Sequence, residues 1–238
     1  MKVKILKSSN HSLKLRTSDQ IKFIIIHYTG MQSEGESIKR LTEKKSQVST
    51  HYLITKKGLI FKMVEEKNIA WHAGKSKWRN FINLNNRSIG IELVNKGHRF
   101  GYENFSNKQI LSLIVLCRYL IKKYKIIQKN ILGHSDIAPL RKADPGEKFP
   151  WYSLSKKKIG YWHNKGKKNN KLYILKKNGT RNAFFNNLYK IGYRYFDKKK
   201  SLSSDFKVIK AFQRRFRQKK VNGKIDQECL QISYNLAH

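Results

Sequence analysis

Residues 21–28 read IKFIIIHY, a run of isoleucine and aromatic side chains closed by Thr29-Gly30. β-Branched residues filling a short run without polar alternation predict a strand covered on both faces, as in sheets flanked by helices. His27 stands at its C-terminal end. Further along, Ser88–Val94 (SIGIELV) is a second run of this kind, with one carboxyl, Glu92, embedded in it. A charge in that setting is costly unless it is paired or used. Ser106–Lys123 follows, with Ser106 and Gln109 at capping-box spacing and apolar residues from Ile110 to Ile121 around most of the circumference. That pattern predicts a helix packed on a sheet. Strands alternating with a buried helix make residues 10–155 an α/β sheet domain.

The intervening stretches fit this frame. Ser33–Gln47 predicts a polar helix, and Tyr52–Val64 (YLITKKGLIFKMV) a hairpin turning near Lys57-Gly58. Ile69–Gly74 (IAWHAG) leads into a polar loop through Asn86, and Ile131-Leu132 enters residues 133–151, GHSDIAPLRKADPGEKFPW. Pro139, Pro145, Gly146 and Pro150 predict a loop there, a shape able to aim side chains at one point. Residues 156–171, rich in Lys, Asn and Gly, predict a linker, and 172–238 a small domain of three helices. The helical patterns cover 181–193, 205–218 and 226–236, with Thr180, Ser204 and Asp226 as N-caps and Asn222-Gly223 as a turn.

Of the 238 residues 39% are hydrophobic and 12% aromatic, enough for a packed core, so the chain is not a disordered one. The net charge is +37, with residues 151–238 contributing 23 basic against 4 acidic side chains. Such a field favours acidic partners: nucleic acid, an anionic membrane surface, or a wall polymer carrying carboxylates. Cys117 and Cys229 are the only cysteines, which excludes a cysteine zinc knuckle or a disulfide framework. No apolar stretch reaches transmembrane length, and residues 1–20 hold no apolar run of the kind that drives secretion.

His134 and Asp144 lie ten residues apart, with Lys142 two residues before the aspartate. Joined by His27 they would supply two imidazoles and one carboxylate, a set that leaves a tetrahedral zinc one open position. Zinc so held brings the pKa of a bound water toward roughly 7 and polarises a carbonyl. Glu92 could move the proton and Lys142 stabilise an oxyanion, which together describe amide hydrolysis. Each residue also has an ordinary reading: a hydrogen-bonded core histidine, an ion-paired glutamate, a solvated lysine. Spacing alone leaves both open. Ser135 lacks the glycine pattern of a nucleophile elbow, which argues against a serine hydrolase.

Five blocks decide between these readings: IIIHYTG (24–30), STHYLITKKGLIFKMV (49–64), AWHAG (70–74), SIGIELVN (88–95) and the 133–151 segment. Their order and wording resemble the zinc-dependent type 2 N-acetylmuramoyl-L-alanine amidases, most of all the AmpD and AmiD branch. The resemblance implies a mixed central β-sheet flanked by helices, with a cleft holding one Zn2+ per chain. It implies His27, His134 and Asp144 as metal ligands, Glu92 and Lys142 as the catalytic pair, and Thr50, His51, Trp71, His72 and Arg141 along the substrate cleft. The implied reaction cuts the amide between N-acetylmuramic acid, or its 1,6-anhydro form, and L-alanine, so the partners are the peptidoglycan stem peptide and muramoyl sugar. Residues 206–230 (FKVIKAFQRRFRQKKVNGKIDQECL) are similar to the peptidoglycan-binding domain motif, whose carboxylate-bearing ligand suits the positive charge.

Two further readings compete with this one. A basic nucleic-acid- or wall-binding module without catalysis would use Phe184, Phe185, Tyr189, Tyr193 and Phe212 as stacking groups, but their helical spacing points to a core. A peptidoglycan recognition protein that has lost catalysis would lack a ligand, and every ligand position here is filled. Wall-binding tails accompany the envelope branch of the family, whereas no export signal is visible here. A cytoplasmic protein is therefore expected, with the periplasm or envelope as alternative.

Overall fold

The computed structural model describes residues 2–163 and 177–238; residues 164–171 of the expected linker lie outside them. The elements in chain order are β1 (Val3–Ile5), β2 (His11–Ser12), β3 (Phe23–Tyr28), α1 (Glu34–Thr42), β4 (Tyr52–Ile54), β5 (Ile60–Lys62), β6 (Ile69–Ala70), β7 (Lys77–Trp78), β8 (Phe81–Ile82), β9 (Ser88–Leu93), α2 (Asn107–Tyr124), β10 (Ile131–Gly133), α3 (His134–Ile137), α4 (Trp151–Ser155), α5 (Lys177–Ile191), α6 (Asp205–Phe216) and α7 (Gln227–Ala237). Six strands form one sheet in the order β1-β5-β4-β9-β3-β10. Only the β4–β5 hairpin pairs antiparallel within it, so the sheet is mixed.

Strand β3 is buried on both faces, and its side chains alternate between two cores. Ile24 and Ile26 join Ile89, Ile91, Tyr52 and Ile54 beneath Leu113, Leu116, Cys117 and Leu120 of α2. Phe23 and Ile25 join Leu132 and Ile137 against Phe184, Leu188, Phe212 and Leu230 of the C-terminal helices. By the same period of two, His27 belongs to the face that the C-terminal helices cover. The three helices of residues 177–238 thus cover a sheet face that would otherwise be apolar and wet. Burying a Phe or Leu there is worth about 1.5–3 kcal/mol per side chain.

Several local expectations are corrected. The helix beginning at Ser33 ends at Thr42 and passes into a separate short turn, since Lys44 and Lys45 bring nothing apolar to the sheet. Ser106 caps α2 by accepting the Gln109 N–H, but the Gln109 amide does not close the box. It turns inward and donates to the Ile54 and Val94 carbonyls at 3.0 and 3.1 Å, tying helix to sheet. Residues 133–151 are mostly turn, yet His134–Ile137 winds into one helical turn. Thr180 lies inside α5, which starts at Lys177, and is therefore no N-cap. Ser204 makes no side-chain cap bond, and its backbone is helical where a capping residue is extended. Asp226 does cap α7, accepting the Cys229 N–H at 3.0 Å. Phe184, Phe185, Tyr193 and Phe212 are fully buried and unavailable for stacking on bases, while Tyr189 is exposed.

Candidate metal centre

β3 and β9 are parallel and in register, with His27 opposite Glu92 at their carboxyl ends. Crevices beyond the carboxyl ends of such strands are where sites form in α/β sheets. β10 runs beside β3 and delivers His134 as the first residue of α3. The Ser135 N–H donates to the Asp144 carbonyl at 2.8 Å, which folds the proline-rich segment back over the strand ends. The result brings the three residues read as ligands together. His27 Nδ1 lies 2.9 Å from His134 Nδ1 and 3.0 Å from Asp144 Oδ2, and His134 Nδ1 lies 3.1 Å from the same oxygen. All three are buried, and no other such cluster of three potential ligands occurs among the described residues.

The partners of the outer ring nitrogens show what these contacts are. His134 Nε2 faces the Ala73 carbonyl at 3.1 Å, which can only accept, and at 3.4 Å the Arg141 Nη2, which can only donate; the shorter contact favours the tautomer protonated on Nε2. The Ser88 hydroxyl donates to the Leu84 carbonyl at 2.6 Å, leaving its oxygen to accept from His72 Nε2 at 3.2 Å. His72 Nδ1 then carries a lone pair and accepts from His27 Nε2 at 3.0 Å. Burial, reinforced by His134, pushes the His27 imidazole down to about 4, and burial with His27 keeps His72 well below its ordinary value, so both are neutral. Burial alone would raise the Asp144 carboxyl, but His134 and His27 outweigh it and hold it well below the usual range. Two ring nitrogens and a carboxylate oxygen therefore face one another across the centre. Ligands about 2.0–2.1 Å from a tetrahedral zinc stand roughly 3.3 Å apart, so this donor set fits such an ion.

Glu92 stands beside them with Oε2 lacking any protein partner. Burial first and the Asp144 charge second raise its carboxyl to about 8, against the opposing effect of Lys142. A carboxyl titrating near neutrality can both take and return a proton. The cleft above has a volume of about 570 Å3 and is lined by Trp71, His72, Glu92, His134, Arg141, Lys142 and Asp144 among others. Arg141 is tethered by bonds to the Ala73 and Lys75 carbonyls, so its guanidinium is fixed at the rim.

Thr50 and His51 do not line this cleft, unlike the other expected cleft residues. Thr50 is fully buried with its hydroxyl unpartnered. His51 accepts the Gly90 N–H on Nδ1 at 3.0 Å and lies beside the Arg16 guanidinium, its ring edge-on to that of His72. His72 itself is a cleft residue whose ring packs on Gly90: a Cβ there would fall 2.5 Å from His72 Cγ. The sequence reading missed Tyr28, Arg40, His98 and Arg99, which also line the cleft. Nothing marks two arginines as special in a chain with 52 basic residues, but His98 was visible as a histidine just past the Glu92 strand.

A mixed sheet carrying a metal-compatible His-His-Asp centre with a carboxyl of raised pKa beside it in an open cleft is an architecture suited to hydrolysis. Residues 17–147 match the Amidase_2 family, N-acetylmuramoyl-L-alanine amidase, and the chain belongs to that family. The N-acetylmuramoyl-L-alanine amidase AmiD of Escherichia coli is 35% identical over 249 residues, spanning 96% of this chain and 88% of that protein. The 1,6-anhydro-N-acetylmuramyl-L-alanine amidase AmpD of Haemophilus influenzae is 32% identical over 161 residues, 60% of this chain and 85% of that one. Among solved structures, Escherichia coli AmiD in complex with its substrate anhydro-N-acetylmuramic acid-L-Ala-D-gamma-Glu-L-Lys superposes with a TM-score of 0.80 at 36% identity, over 91% of this chain and 88% of that one. Pseudomonas aeruginosa AmpDh3 in complex with an anhydromuramic pentapeptide gives 0.82 at 30% identity, over 97% and 96%. The mixed sheet flanked by helices, including the C-terminal helices, is thus shared with these amidases.

Proposed function

We propose that the chain hydrolyses the amide between N-acetylmuramic acid, or its 1,6-anhydro form, and L-alanine, with one zinc ion held by His27, His134 and Asp144. The observation that carries this is the convergence of two imidazole nitrogens and one carboxylate oxygen at mutual distances of 2.9–3.1 Å. When bound, zinc would supply Lewis acidity, acidifying a water and polarising the scissile carbonyl. Glu92 takes a proton on its free Oε2 and returns it to the leaving nitrogen, a role its raised pKa suits. Lys142 sets a positive charge at the cleft wall where an oxyanion would develop. Arg141, held by backbone carbonyls, and the half-exposed Trp71 offer a cation for a stem-peptide carboxylate and an apolar face for the sugar.

The test is dialysis against a strong chelator. Release of stem peptide from a muropeptide should stop and return on adding one equivalent of zinc; full activity in metal-stripped protein overturns the assignment. The substrate also bears on the compartment, which we propose is the cytoplasm. Faster turnover of soluble anhydro-muropeptides than of intact sacculi is expected there, and the reverse preference would move the protein to the envelope. The C-terminal helices, basic and similar in motif to peptidoglycan-binding modules, support a partner rich in carboxylates. Among the described residues no helix is long and apolar enough to cross a membrane.

A further inference from the structure

The turn that carries His134 is not held by the sheet domain alone. Asp136, two residues after His134, is buried, and both its oxygens are engaged. Oδ2 accepts the Gly133 N–H at 2.8 Å, closing the turn around His134. The same oxygen accepts from Arg215 Nη1 at 3.1 Å, and Oδ1 accepts the Tyr193 hydroxyl at 2.6 Å. Arg215 belongs to α6 and Tyr193 follows α5, so both bonds come from the C-terminal helices. Arg215 reaches further still. Its Nη2 donates to the Ile131 carbonyl at 3.1 Å, and its guanidinium stacks 3.3 Å from the ring centre of Trp151. Ile131 opens the strand that leads to His134, and Trp151 ends the segment that carries Asp144. One buried guanidinium thereby touches both ends of the stretch bearing two of the three ligand side chains.

A single helical turn has no stability of its own, because nucleating a helix is unfavourable. Something outside α3 must fix where the His134 ring points. We propose that the C-terminal helices are a clamp on the metal-bearing turn, with Arg215 and Tyr193 as positioning residues that act on His134 through Asp136. This rests on the reading of His27, His134 and Asp144 as metal ligands, and it gives residues 177–238 a task inside the site, separate from any hold on the wall. Groups behind a metal ligand are expected to set the metal affinity, since they fix the geometry the ligand brings to the ion.

The experiment measures the zinc dissociation constant of the full chain by competition with a chromophoric chelator, at a temperature where far-ultraviolet circular dichroism shows native protein. Tyr193→Phe removes one hydroxyl and keeps the ring packed on Trp78 and Phe212. It should weaken zinc binding about tenfold, and Arg215→Lys, which puts one nitrogen where two now bond Asp136 and Ile131 and loses the planar stack on Trp151, about ten- to a hundredfold. Leu230→Ala serves as the control: it opens a cavity in the same C-terminal core, lowers the melting temperature, and should leave zinc affinity within about twofold. If wild type binds one zinc and Tyr193→Phe binds it equally tightly, the clamp is overturned. It is overturned as well if Leu230→Ala weakens zinc as much as the two variants do, because the effect then follows stability alone. A wild-type chain that takes up no zinc overturns the ligand assignment and the clamp with it. Should Arg215→Lys fail to fold, Tyr193→Phe decides.

Discussion

His27 and Glu92 are in-register partners on neighbouring parallel strands, so an imidazole and a carboxyl rise from the same sheet face side by side. Register places the proposed metal ligand and the proposed proton carrier next to each other without any loop to order. The two roles should therefore separate cleanly by mutation. Glu92→Gln keeps the shape and leaves the three ligand atoms untouched. It is expected to bind zinc like wild type and to lose about 10²–10⁴-fold in turnover. Measuring both on one preparation checks this, and a variant that turns over normally would remove Glu92 from the mechanism.

Behind His27 runs the line Ser88, His72, His27, each link a hydrogen bond that fixes which nitrogen faces the centre. Gly90 belongs to the same device, since the His72 ring lies where its Cβ would be. Ser88→Ala frees the His72 tautomer and Gly90→Ala displaces the ring. Each should weaken zinc binding by about 10–100-fold. Chelator competition reads this directly, and undiminished affinity in both would mean that His27 is oriented by other contacts.

How much of this was legible in the sequence follows from how local each feature is. The strands at 23–28 and 88–93 and the helix at 107–124 were readable because β-branched runs and a capped apolar periodicity carry their own structure. The His-His-Asp cluster was readable only as five ordered blocks, because His27 meets His134 and Asp144 through sheet pairing across more than a hundred residues. Thr50 and His51 were misplaced because a motif says which residues travel together and not which way each side chain points. His51 turns toward Gly90 and Arg16, away from the cleft. Arg215 was invisible. It is one of 52 basic residues, and only the tertiary fold stacks it on Trp151 and aims it at Asp136.

Asp144 supplies the only negative charge among the three side chains read as ligands; burial alone would raise its carboxyl, but its neighbours, His134 foremost, hold it well below the usual range. Asp144→Asn preserves volume while removing that charge and leaving an amide that coordinates poorly. Zinc affinity should fall by more than the 10–100-fold typical of an outer partner, and amidase activity with it. Titration calorimetry checks the first and muropeptide cleavage the second. Wild-type affinity in this variant would show that the two histidines suffice.

Glu66 gives a prediction about stability away from the site. It is buried at the back of the sheet, where Tyr52 donates to Oε1 and Tyr124 and Lys123 donate to Oε2. Burial alone would raise its carboxyl, but the bonds from Lys123, Tyr124 and Tyr52 outweigh it and hold the group below its ordinary 4.5. A carboxyl depressed by folding stabilises the native state above its unfolded pKa, and that stabilisation is lost as pH falls through the folded value. Glu66→Gln removes the charge and so should cost about 1.5–3 kcal/mol at pH 7, the scale of hydrogen bonds to a charged group. Because wild type gives up the same stabilisation in acid, the difference in melting temperature between the two should be constant near neutrality and narrow below about pH 4.5. Thermal melts from pH 3 to pH 7 in the presence of chelator, which removes any contribution from metal, read the gap. A gap that stays constant down to pH 3 would show that the two tyrosines and Lys123 do not hold the carboxylate, and that the variant's loss comes from packing.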